Sequence, residues 1–232
     1  MHEIITDKKS LLLLGAALFT QATTSLIGGA AFYNPYVEEG SIIETMQSFA
    51  ADVTAIHAGV FLQIVTAFVI ILLGVLLYRF TEHINKTAAV VALCFYIFEA
   101  ILHAAGQVFV FSLAEVSQLF AASGDAALVN IGQALMTARV FAGGIAMIPF
   151  GLGAIIFYYL LMKAKIIPKW LAIWGLVTVP FVLVGIPLTV FGATVPFALF
   201  VPYVPWEFFT GVYILIIGLR TEGGTKGDVP CV

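Results

Sequence analysis

Six long apolar stretches, separated by short polar breaks, set the pattern of this chain. They fall at about 10–32, 51–80, 87–113, 130–162, 170–191 and 205–219. A helix needs roughly 20 residues to cross about 30 Å of hydrocarbon. The first five stretches meet that length, and the true start of the last is expected within 200–204. None alternates with the period of a strand. The pattern predicts an all-α integral membrane protein, a bundle of six transmembrane helices over 10–220. Residues 1–9 and 221–232 are expected on the cytoplasmic side, the latter as a polar, Gly-rich disordered tail.

The breaks carry their own signals. The polar stretch 33–50 is followed by the second apolar run, and 41–53 is expected to form a short amphipathic helix at the interface. The stretch 114–129 reads as an outer segment with a turn at Gly124-Asp125. Pro149 predicts a kink in the fourth helix. The stretch 192–204 is apolar yet holds Pro196 and Pro202, and it is expected to dip into the membrane surface.

Composition strengthens this picture. Of 232 residues, 62% are hydrophobic and 10% charged, against about 45–50% and 25% in soluble domains. No Lys/Arg-rich stretch points to nucleic acid. Lys8 and Lys9 before the first run invite a signal-peptide reading. Gln21, Thr23, Thr24 and Ser25 interrupt its apolar core, so it reads as a retained helix. The two cysteines, Cys94 and Cys231, form no redox or disulfide framework.

Basic residues decide the orientation. Lys8, Lys9, Arg79, Lys86, Lys163, Lys165, Lys169, Arg220 and Lys226 all fall on one side of six spans. The remaining basic residue, Arg139, falls inside the fourth. The positive-inside rule then predicts cytoplasmic N- and C-termini in the cell membrane. No internal repeat or separate soluble domain is visible.

Candidate chemistry begins in the third helix. Tyr96, Glu99, His103 and Gln107 recur at steps of three and four, on one helix face. A carboxylate and an imidazole facing lipid would be costly, so the stripe is expected to face the bundle interior. Counting about 1.5 Å per residue from the inner ends, Glu99 and Glu207 come out level. His103, Arg139 and His57 lie further out. The expectation is an outer-half cavity lined by His57, Glu99, His103, Arg139 and Glu207, with Gln107 nearby.

Three chemistries suit that set. The cavity could bind or transport a small solute or ion, with Arg139 balancing an acidic group and Glu99 and His103 exchanging protons or holding the ligand. His57, His103 and Glu99 have the ligand types of a zinc-class metal site for hydrolysis. His57 and His103 could instead be axial ligands of a haem. The bland alternative is structural: an Arg139–carboxylate ion pair, a spare neutral acid and hydrogen-bonded histidines in a structural or accessory subunit. The bilayer is the one certain partner on this reading, and an oligomer or partner subunit is compatible with it.

Trp170, Trp174, Tyr33, Tyr36, Tyr203 and Trp206 fall near helix ends and read as an aromatic belt. Gly28-Gly29, Gly143-Gly144, Gly151 and Gly153 read as sites of close helix packing. The stretch 158–177, YYLLMKAKIIPKWLAIWGLV, carries an aliphatic-Ile-Pro-basic-Trp-Leu turn at Ile166-Ile167-Pro168-Lys169-Trp170-Leu171. Pro205-Trp206-Glu207 opens the last span. In both features the chain resembles a bacterial and archaeal multi-pass membrane family, domain of unknown function family 4386. The general layout is similar over most of 10–220. The resemblance implies a multi-span fold and carries no activity.

Overall fold

The computed structural model describes residues 8–220, and every regular element among them is helical. The order is α1 (Lys8–Ala30), a 3-10 turn (Asn34–Tyr36), α2 (Ile42–Ala51), α3 (Val53–Thr81), α4 (Lys86–Ser123), α5 (Ala127–Lys163), α6 (Lys169–Val190), a second 3-10 turn (Phe197–Leu199) and α7 (Val204–Arg220). The expectations for residues 1–7 and the tail 221–232 lie outside the described residues. Five helices, α1, α3, α4, α5 and α6, are long and apolar enough to cross a membrane. At 17 residues, α7 falls short of that length.

Local chemistry fixes the boundaries. The side chains of Ser41, Asp52 and Asn85 accept from the backbone N–H groups of Glu44, Ala55 and Ala88, capping α2, α3 and α4. Gly124, at φ 68°, takes the left-handed conformation that closes α4.

The largest departure from the sequence reading is α4, which runs ten residues past 113. Glu115 and Ser117 end the apolar run there, but a helix needs no hydrocarbon around it. Leu113, Ala114 and Ser117 are buried beneath α2 instead. At 38 residues α4 is about 57 Å long, so it outreaches a bilayer core. The amphipathic helix expected at 41–53 exists as α2. Its apolar face, with Met46 and Phe49 buried, is taken up by protein, not lipid. With Tyr33, Ile56, Val110 and Leu113 it forms a second small core at this end of the bundle. We call it the capped end. The opposite, basic end carries Lys8, Arg79, Lys86, Lys163, Lys169 and Arg220 at helix termini.

The helices form a ring. α3 lies between α1 and α4, α5 packs on α4 and α6, and α7 packs chiefly on α1. α4 and α7 make no backbone approach. The space between them is filled by side chains, among them Tyr96, Phe150, Tyr158, Tyr203 and Trp206.

Close approach occurs where the glycines allow it. A Cβ on Gly15 would lie 2.7 Å from the Leu215 backbone nitrogen and 2.9 Å from the Gly211 carbonyl oxygen. Gly151 and Gly153 similarly meet Leu183 and Tyr96, and Gly144 meets Val190. Gly143 does not follow the expectation, since it has nothing within 4 Å.

The segment 191–203 goes further than a surface dip. It runs back along α6, with Phe200 against Gly185 and the Pro202 carbonyl accepting from Trp174 Nε1 at 2.9 Å. α7 therefore starts beside the first turns of α6, where Trp206 Nε1 donates to the Leu171 carbonyl at 2.6 Å. Irregular backbone in hydrocarbon is costly because its N–H groups lack water. Pro196, Pro202 and Pro205 lower that cost by having no N–H to satisfy.

This docking corrects the aromatic-belt reading. Trp206, Tyr203 and Tyr33 are buried, Trp206 completely, whereas Trp170 is 60% exposed. The sequence placed them near helix ends but could not show that one of those ends folds into the bundle.

Candidate functional site

The polar stripe of α4 meets different neighbours at each level and divides into two tiers. The tier nearer the basic end starts with Tyr96, wedged between Gly74 of α3 and Gly153 of α5. One turn on, Glu99 is 4% exposed and its Oε2 has no hydrogen-bond partner. Across the ring, the Tyr203 hydroxyl donates to Glu207 Oε1 at 2.8 Å. That uses its one proton, so Tyr158 donates to Tyr203, 2.8 Å away. Tyr96 of α4 lies beside Tyr158, and from Tyr158 of α5 a line of hydroxyls runs through Tyr203 to Glu207. The Gln21 side chain of α1 also bonds Glu207. Glu207 acts electrostatically on Glu99, and neither carboxylate forms an ion pair with a cation among the described residues.

The second tier lies towards the capped end. Gln63 Nε2 donates to the Ser25 carbonyl at 3.1 Å, which leaves Gln63 Oε1 as an acceptor. It meets His103 Nε2 at 2.8 Å. The Nε2 of this imidazole therefore carries the proton given to Gln63. Arg139 of α5 sits half-buried with its guanidinium 3.8 Å from the centre of the Tyr33 ring, a cation–π contact. Among the described residues it forms no ion pair, so the Arg139–carboxylate pair of the structural alternative is absent there. Arg139, Gln63, Gln107 and Tyr33 line a small cavity together with Gly28 and Gly59. Its volume of about 20 Å³ has room for a water molecule.

The cavity expected from the sequence is thus divided. Arg139 and Gln107 line it, while His57, Glu99, His103 and Glu207 do not. His57 stands apart in the first turns of α3. It stacks on Phe111 at 4.9 Å and its Nε2 approaches Glu115 at 3.3 Å. His57, His103 and Glu99 are not gathered as metal ligands. Among the described residues no three His, Cys, Asp or Glu side chains converge to hold a metal. The two imidazoles approach different side chains, His57 that of Glu115 and His103 that of Gln63. Sequence reasoning treated every ionisable residue in one depth range as one site, but depth alone does not say which way a neighbour faces. It also missed Tyr33 as a cavity residue and Tyr158 and Tyr203 as members of the hydroxyl line. The four-residue step from Tyr203 to Glu207 was the available signal for the last pair.

Five long apolar helices with exposed hydrophobic outer faces around an interior polar seam define a multi-pass membrane protein with bilayer contact. Residues 13–218 match the family described as Domain of unknown function (DUF4386), and the chain belongs to that family. No curated protein and no solved structure matches it.

Proposed function

We propose that this is a six-span protein of the cell membrane that binds or transports a small solute or ion from its outer half. On this reading the sixth crossing is made jointly by 191–203 and α7. The basic end is cytoplasmic, as the Lys/Arg bias supports, and the capped end faces outward. The carrying observation is Arg139: a half-buried guanidinium without an ion pair among the described residues, lining a cavity with two glutamine side chains. An unpaired cation at that depth favours a small anion or an acidic group of a solute. Gln107 and Gln63 add hydrogen bonds, and His103 stands one turn from Gln107 to take or give a proton.

Thiol labelling tests this in a chain lacking Cys94 and Cys231. A cysteine at Gln107 is expected to react with a membrane-impermeant methanethiosulfonate added outside. Arg139→Ala should change its rate. A cysteine at Val108, on the lipid side of the same turn, should stay unreactive. Equal rates at 107 and 108 would remove the cavity reading.

A further inference from the structure

A second site lies deeper in the ring and goes beyond the Arg139 cavity. Three buried side-chain oxygens among the described residues have no hydrogen-bond partner: Gln21 Oε1, Glu99 Oε2 and Thr210 Oγ1. They are 8%, 4% and 0% exposed and come from α1, α4 and α7. All three are tied to Glu207. Gln21 bonds it through the other end of its amide, Glu99 acts on it electrostatically, and Thr210 lies one turn further along the same face of α7. α4 and α7 make no backbone contact, so Glu99 and Glu207 act on each other across the side-chain space of the ring.

An unpartnered buried oxygen costs free energy, and a buried carboxylate without a counter-charge costs more. A hard cation relieves both at once, since such ions take carboxylate, amide and hydroxyl oxygens. We propose that Glu99, Glu207, Gln21 and Thr210 hold one monovalent metal cation of the sodium class inside the bundle. The charge count favours a monovalent ion. There are only two carboxylates, and Glu207 already accepts from Tyr203 and Gln21. The donated hydroxyl line keeps that carboxylate turned as an acceptor. The irregular segment 191–203 ends beside this carboxylate, and broken elements at bundle centres are where transported cations are coordinated.

The test uses the full-length protein in mild detergent. Radiolabelled sodium binding is measured by equilibrium dialysis, with choline holding ionic strength constant, beside melting curves in sodium and in choline. The expected result is saturable sodium binding with a stoichiometry of about one ion per chain and a higher melting temperature in sodium than in choline. Glu99→Gln should abolish both, and Thr210→Val should weaken binding roughly tenfold. The wild-type comparison needs no variant, so a folding defect in Glu99→Gln leaves the test intact. Indistinguishable wild-type curves with no saturable sodium uptake would overturn the proposal. So would binding that survives Glu99→Gln, or binding of calcium alone. Labelling at position 107 reads the other tier, so either site can fail by itself.

Discussion

Trp206→Ala is expected to lower the melting temperature in mild detergent by on the order of 10 °C. The side chain is fully buried, lies against Gly175 and Tyr158, and donates to the Leu171 carbonyl. Removing a buried tryptophan costs about 3–5 kcal/mol, and in a chain this long each kcal/mol moves the midpoint by about 2–4 °C. Trp206→Phe should recover most of the packing and lose about 1 kcal/mol for the indole donor. Trp170→Ala, at a 60% exposed site, should stay within about 0.5 kcal/mol of wild type. Equal losses at 170 and 206 would mean that the last span does not dock as described.

Gly15→Val should be nearly as damaging. Its Cβ would meet the backbone of α7 at Leu215 and Gly211, and backbone cannot swing aside as a flexible side chain can. Overpacking of this kind costs about 1–3 kcal/mol. Gly143→Val is the matched control, because nothing lies within 4 Å of that position. Thermal melts of both variants, read as tryptophan fluorescence, check the pair. If Gly143→Val proved the more harmful, the close contact of α1 with α7 would be wrong.

The helices were legible because apolar runs and prolines are local signals. The ends of α1, α3, α5 and α6 fall within three residues of the sequence reading. Hydropathy fails where helix and hydrocarbon part company. α4 continues past Leu113 because α2 covers it, and α2 is far away along the chain. The interior orientation of Tyr96 and Glu99 followed from spacing alone, and both are buried. What faces them did not follow. Glu207 and Tyr203 sit four residues apart in sequence, but Tyr158 joins them from 45 residues away, through a ring closure that no local pattern encodes. His57 and His103 looked like a pair because both are histidines at a similar depth. Glu115 and Gln63 separate them.

Because α1 packs against α7, α1 leaves the ribosome well before the helix that it faces. About 200 residues lie between their facing glycines, and at roughly 5–20 residues per second that interval lasts on the order of 10–40 s. Throughout it the face of α1 bearing Gly15 lacks its α7 partner. A chain truncated before α7 would leave that face open permanently.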